Sequence, residues 1–315
     1  MHQNLTRRQM IQTAGICCLG TAVAASAKPL IAAETTSSTE PMIALNTGTL
    51  MGFNLPIEQE IEVASQAGYK GIEVWMNKIQ RFTQNGGKLP DLKKRFKDNG
   101  IALINVIAFA EWIVDDDEKR GRGVEQMKRD MEILAQLDCP YIAAPASGAT
   151  GKRIDDLEEC GKRYAEILEI GELIGVLPIL ELWGASATMS KLSDCVTIAI
   201  ATGNPKASLL LDAYHLYRGG NKFESLTQIS GKSLKVFHLN DYPADPPRER
   251  LRDSDRVYPG DGICPLSDIL KTIKESGFVG ALSLEIFNQK YWETGDPLSV
   301  AKTGYEKIRK ILASE

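Results

Sequence analysis

The chain has 315 residues, of which 43% are hydrophobic and 25% charged, the composition of a soluble globular protein with a large core. The formal net charge is −4, with acids and bases mixed along the chain; no basic footprint forms, which excludes nucleic acid as a partner chosen by charge. Length alone allows two domains, but α/β barrels reach this size as one.

Residues 1–27 read MHQNLTRRQMIQTAGICCLGTAVAASA. Paired arginines, Arg7 and Arg8, precede a mildly apolar stretch from Ile11 to Ala25, and Ala25-Ser26-Ala27 has the small-x-small form of a signal-peptidase site. The apolar stretch is shorter than a membrane span. The order of charge, apolar core and cleavage site predicts a twin-arginine-type export signal. The mature protein is then expected in the periplasm of a bacterium, with no stable membrane anchor after cleavage. Ala33 is a second cleavage point. Cleavage after Ala27 removes two positive charges and no acids, leaving −6. Residues 28–40 read as a flexible linker, with ETTSSTE at 34–40. Four cysteines remain, Cys139, Cys160, Cys195 and Cys264; they match no zinc spacing and contain no CxxC, so buried free thiols are expected.

From residue 41 to 315 the chain alternates. Short apolar runs recur at 42–47, 71–75, 101–109, 141–146, 177–183, 208–214, 234–240 and 281–287. Helical periodicity falls between them. Residues 56–68 begin with proline, end in glycine, and place Ile57, Ile61 and Ala64 on one face. Residues 155–175, 267–277 and 299–312 repeat apolar residues at the same spacing. Eight alternating units, with strands apolar on both faces, predict a parallel sheet covered by helices. Eight closes a TIM (β/α)8 barrel; an open doubly wound sheet is the second choice, but no glycine-rich dinucleotide loop follows the first strand.

Active residues of such a barrel stand at the C-terminal strand ends. Strand two carries Glu73, strand five ends in Glu181, strand six in Asp212 followed by His215, strand seven in His238 followed by Asp241, and strand eight in Glu285. The chain has three histidines, and the two beyond His2 both belong to this set. A single acid at a strand end is usually a solvated loop residue or a helix cap. Glu181, Asp212, His238 and Glu285, however, each interrupt an apolar run, which is costly unless the group is paired or metal-bound. On four consecutive strands they would converge on one rim. Clustered carboxylates repel, and a divalent cation relieves that repulsion with oxygens and one imidazole as ligands.

These residues resemble the sugar phosphate isomerase/epimerase branch of the xylose isomerase-like TIM-barrel superfamily, which includes ketose 3-epimerases, hydroxypyruvate isomerase and inosose dehydratase. The resemblance covers about residues 41–315. It implies one divalent metal ion (Mn, Mg, Co or Zn) held by Glu181, Asp212, His238 and Glu285, with Glu181 and Glu285 also serving as acid and base. It places His215, three residues after Asp212, and Arg256, four before the Gly-x-Gly of RVYPGDG, on the substrate. Asp241, Trp183 and Glu73 complete the expected substrate-binding set. Trp75, Trp112 and Tyr214 are further candidates for a sugar-stacking wall or for barrel packing. The implied reaction is isomerisation or epimerisation of a keto-sugar or related polyol ketone, by proton abstraction through a metal-bound enediolate. Two features depart from the ketose 3-epimerases. Ala187 stands where they carry a second glutamate, and the segment between His238 and the Gly-x-Gly is enlarged. The alternatives are a metal-dependent dehydratase or lyase acting on an inosose or keto-glycoside, its extra acid drawn from Asp241 or Asp255, and a non-catalytic exported sugar-binding protein. The expected partner is a small carbohydrate; a homo-oligomer is compatible with the resemblance.

Overall fold

The structure, a computed structural model, describes residues 40–293 and 296–314. The expected export signal (1–27) and all of the linker but its last residue lie outside the described residues. No helix among the described residues is long and apolar enough to cross a membrane.

Eight strands close into a parallel barrel in chain order: β1 (Met42–Asn46), β2 (Gly71–Trp75), β3 (Ala102–Ile107), β4 (Tyr141–Pro145), β5 (Leu177–Glu181), β6 (Leu209–Asp212), β7 (Leu234–Leu239) and β8 (Ala281–Leu284). Closure is made by β8 against β1, with Ile43 opposite Leu282 and Leu45 opposite Leu284. Each strand falls within its apolar run, and several runs overshoot: the third strand stops at Ile107, leaving Phe109 on the rim.

The covering helices are α1 (Ile57–Ala67), α2 (Met76–Gln84), α3 (Leu89–Asp98), α4 (Asp117–Gln136), α5 (Leu157–Ile174), α6 (Leu192–Ala201), α7 (Ala213–Arg218), α8 (Leu266–Glu275), α9 (Gln289–Trp292) and α10 (Pro297–Leu312). The four periodic segments read from the sequence correspond to α1, α5, α8 and α10. Their ends follow from capping chemistry. Asp156 accepts the Glu159 amide at 2.9 Å to start α5. Gly68 (φ 102°) ends α1, with the Tyr69 amide turned back to Ala64 O at 3.1 Å.

Two apolar layers result from the period-two alternation of the strands. Outward residues such as Leu45, Ile72, Leu180, Leu211, Phe237 and Leu282 pack against the helices in the main core. Inward residues Ala44, Ile104, Ile107, Ala143, Ile179, Leu210, Val236 and Ala281 form a separate small cluster inside the barrel. Two residues further along, towards the strand C-termini, the lumen turns polar. Asn46, Glu73, Asn105, Glu181, Asp212, His238 and Ser283 are all buried.

Candidate metal centre and active site

The polar layer is built by a repeated local rule. A strand puts a residue in the lumen every second position, so Glu181 follows Ile179, Asp212 follows Leu210, and His238 follows Val236. Glu285 comes two residues after the inward Ser283, just past β8. The β6–β7 register sets Asp212 beside His238.

His238 is the hub. Its Nδ1 lies 3.1 Å from Glu285 Oε2 and 3.5 Å from Asp212 Oδ2, and its Nε2 lies 3.0 Å from Glu73 Oε2. Ligand atoms of Asp212, His238 and Glu285 fall within 4.8 Å of one another. Burial alone would depress the His238 pKa, but Glu285, Glu73 and Asp212 overcome it and hold it well above the ordinary imidazole value. Glu181 ends β5 in the same layer with its Oε2 buried and unpartnered. Burial pushes its carboxyl up to about 8, with Glu285 and Glu73 adding to the effect and His238 opposing it. The two outer glutamates therefore differ: burial would raise Glu285 as well, but His238 and Arg256 hold it below the usual carboxylate range.

Arg256 closes one side. Its Nη1 donates to Glu285 Oε2 at 2.7 Å and to Asp212 Oδ2 at 3.3 Å, its Nη2 lies 3.0 Å from His215 Nε2, and it also pairs with Asp253. The guanidinium lies over the rings of Tyr214, at 4.4 Å, and Phe287, at 5.1 Å. Asp212 caps α7, taking the His215 amide on Oδ1 at 2.7 Å, and its Oδ2 accepts Asn240 Nδ2 at 2.9 Å. Burial and Arg256 keep the His215 ring below its ordinary pKa.

Two residues expected on the substrate, Asp241 and Glu73, have partners within the protein. Asp241 is fully buried, and its carboxylate is consumed by its own loop. Oδ1 accepts the amides of Tyr242 and Cys264, both at 2.8 Å, and Oδ2 those of Gly260 and Gly262, both at 3.0 Å. Neither oxygen is available as a substrate ligand or an extra acid. The same contacts explain the Gly-x-Gly: Gly260 has φ +85°, and a Cβ on Gly262 would lie 2.2 Å from Tyr242 O. Asp241 thus folds the loop that returns Arg256 to the site, with an antiparallel bridge from Asp241 to Val257 beside it. Glu73 is wholly buried behind His238, its Oε2 3.0 Å from the ring Nε2. The other loop acid considered, Asp255, accepts the Arg252 amide at 2.8 Å.

The aromatic candidates divide. Trp75 and Trp183 stand partly buried at the mouth and are joined by Phe109, whose ring lies 5.2 Å from Trp75 and 5.9 Å from Trp183. Trp112 is core: its indole donates to Pro145 O at 2.9 Å and it packs on Tyr164. Tyr214 lies under Arg256. Sequence reasoning passed over Phe109, Phe287, Asn46, Asn105 and Asn240. The asparagines carried a legible signal, a polar residue near the end of an apolar strand; the phenylalanines carried none. Cys139, Cys160, Cys195 and Cys264 are free, the first three of them buried.

The donor set fits a divalent cation. Four buried carboxylates, Glu73, Glu181, Asp212 and Glu285, outnumber the cationic groups facing them, and Glu181 Oε2 has no partner within the protein. The oxygens and the one imidazole gather at the C-terminal rim of a closed eight-stranded barrel, the face on which TIM barrels carry their active sites. The family model described as "Xylose isomerase-like TIM barrel" matches residues 61–311, and the chain belongs to that family. It is 29% identical over 266 residues to the inosose isomerase of Bacillus velezensis, covering 82% of this chain and 93% of that one. It is 25% identical over 244 residues to the 3-dehydroshikimate dehydratase of Pseudomonas aeruginosa, covering 75% of this chain and 37% of that longer protein. Among solved structures, the IOLI protein with a bound zinc atom superposes with TM-score 0.79 at 25% identity, covering 87% of this chain and 98% of that one.

Proposed function

We propose that this protein is a divalent-metal-dependent isomerase or epimerase of a small polyol ketone. The observation that carries the reading is a pair of buried carboxylates in unlike environments: Glu285, inside the Asp212–His238–Glu285 cluster and paired with Arg256, and Glu181, in the same lumen layer with an unpartnered Oε2. Proton transfer at a carbon next to a carbonyl needs one carboxylate able to accept a proton and another able to give one, and environments that push two pKa values apart supply that. Glu285, ionised against Arg256 and His238, is assigned as base. Glu181, whose Oε2 meets no partner within the protein, is assigned as acid. If Glu285 takes the proton from one face of the carbon and Glu181 returns one to the other, the centre is inverted. If the proton returns to the neighbouring carbon, carbonyl and hydroxyl exchange places.

A divalent cation held by Asp212, His238, Glu285 and Glu181 would polarise the carbonyl and its neighbouring hydroxyl and so lower the cost of losing the proton. Arg256 and His215 are positioned to hold a substrate oxygen beside Asp212. Trp75, Phe109 and Trp183 would wall off water above the site and offer a flat face to a ring. The relatedness to inosose isomerase supports a cyclic polyol ketone as the first substrate to try.

A dehydratase is the second reading, favoured by the relatedness to 3-dehydroshikimate dehydratase. In that case the proton for the departing hydroxyl would come from Glu181, since both Asp241 oxygens are taken by backbone amides and Asp255 lies partly exposed on the loop with one oxygen on the Arg252 amide. We also propose, from the N-terminal sequence alone, that the protein is exported. The experiment is metal analysis of the purified protein, followed by incubation in D2O with inososes and ketoses. About one divalent metal per chain and deuterium at the carbon next to the carbonyl support the proposal. Deuterium uptake with an isomeric product supports isomerase, and loss of water supports dehydratase. Absence of metal, with none taken up on addition, would sink it.

A further inference from the structure

We infer that Ser147 is a substrate-binding residue: its hydroxyl pairs with a ring hydroxyl of the polyol, one step above Glu181 at the mouth of the barrel. The inference deepens the reading of that mouth as the site of a polyol ketone and rests on it.

The pleat of β4 places the residue. Ala143 belongs to the cluster inside the barrel, while Ile142, Ala144 and Ala146 belong to the outer core. Ala146 already lies past the strand end, so the alternation runs on beyond Pro145, and Ser147 is next on the lumen side. The neighbouring β5 behaves alike, with Ile179 inward and Leu180 and Leu182 outward. Pro145 is in register with Glu181, so Ser147 stands one step above that carboxylate, level with Trp183.

Ser147 is 6% exposed, and its Oγ is out of solvent with no hydrogen-bond partner within the protein. A serine beside a turn commonly spends its hydroxyl on a nearby backbone group. This turn does without it. The Ala149 amide donates to Ala146 O at 3.0 Å, and Gly148 makes the corner at φ +78°, where a Cβ would lie 2.7 Å from Glu111 Oε1. The loop is also fastened to the one after β5. The Ala187 amide donates to Thr150 O at 2.8 Å, the Ile154 amide donates to Thr188 Oγ1 at 3.0 Å, and Arg153 spans both Asp194 oxygens at 2.9 and 3.1 Å. A buried hydroxyl held still without a partner is costly, and alanine would fill the place without that cost. A hydroxyl-bearing ligand accounts for serine, because a hydroxyl both donates and accepts and so matches another in either sense. The wall beside it, Trp75, Phe109 and Trp183, is aromatic. Ser147 is the polar point that fixes how a ring lying on that wall is turned.

The test compares full-length wild type and Ser147→Ala, with manganese supplied, on scyllo-inosose in D2O. KM should rise by about 3–10-fold, the usual effect of losing one such hydrogen bond. The kcat should change by less than about twofold, since the contact is made before and during the reaction alike. Without substrate, the variant should melt no lower than wild type. Unchanged KM overturns the inference, and so does a lowered melting temperature, which would make the hydroxyl structural. A second measurement removes the partner instead. Among inososes lacking one ring hydroxyl each, one should show the same KM with wild type and variant; a persisting difference for all of them overturns the assignment. No deuterium uptake by wild type, from scyllo-inosose or from ketoses tried beside it, overturns the functional reading underneath.

Discussion

Arg256 Nη1 and Glu285 Oε2 lie 2.7 Å apart, both side chains almost wholly out of solvent, across 29 residues of chain. The contact joins the enlarged loop after β7 to the end of β8. It neutralises a carboxylate assigned as base, and it places a five-donor fork beside Asp212 and His215.

A lysine at 256 keeps the charge but cannot span Glu285, Asp212 and His215 together, nor lie flat on Tyr214. Arg256→Lys is expected to lower kcat/KM by about 10–100-fold, or about 1.4–2.8 kcal/mol, while bound metal is retained. Arg256→Ala leaves buried carboxylates unpaired and should cost about 3–5 kcal/mol of stability. Steady-state kinetics, metal content and denaturant melts separate the two effects.

Glu181→Gln keeps shape but cannot give up or take a proton. Measured at saturating metal, kcat should fall by about 10²–10⁴-fold with an unchanged far-UV dichroism spectrum. Retention of most activity would remove Glu181 from the proton-transfer pair.

Asp241 makes the opposite prediction. Asparagine retains one accepting oxygen in place of two and turns an NH2 towards backbone amides. Asp241→Asn should destabilise the protein by about 2–3 kcal/mol in urea melts, since hydrogen bonds to charged groups contribute about 1.5–3 kcal/mol each. Metal stoichiometry should be unchanged, and KM should rise more than kcat falls as the Arg256 loop slackens.

Asp130 offers a pH-dependent test outside the site. It is buried on α4, one carboxylate oxygen lacks a partner, the other takes a long bond from Gln80, and burial raises its carboxyl to about 6. A folded-state pKa above the ordinary value means that its full contribution to stability is present below about pH 4 and is lost as pH rises through 6. Asp130→Asn cannot ionise. Its melting temperature should match wild type near pH 4 and exceed it at pH 8, by up to about 3 kcal/mol in stability. Parallel curves across that range would refute the assignment.

Much of this arrangement was legible in the chain. The eight apolar runs and the helices with clear caps mark the barrel because buried parallel strands are apolar on both faces. A charged residue two positions after an inward apolar one, as in Ile179–Glu181 or Leu210–Asp212, marks the rim because the pleat repeats every second residue. Phe109 and Phe287 were not legible, since an aromatic beyond a strand end looks alike whether it packs into the core or walls a mouth.

Local chemistry along the chain thus determined the strand order, the lumen-facing positions and the residue types able to hold a cation. Only the closed barrel decided what each of them faces. His238 and Asp241 are three residues apart, yet His238 stays in the lumen while Asp241 turns into its own loop and spends both oxygens on four amides. Glu73 and His238 are far apart in sequence, yet closure of β8 on β1 brings β2 across from β7 and sets them 3.0 Å apart. A period of two fixes the face a side chain points to. The partner it meets there depends on where the sheet closes and on how the loop beyond the strand satisfies its own backbone.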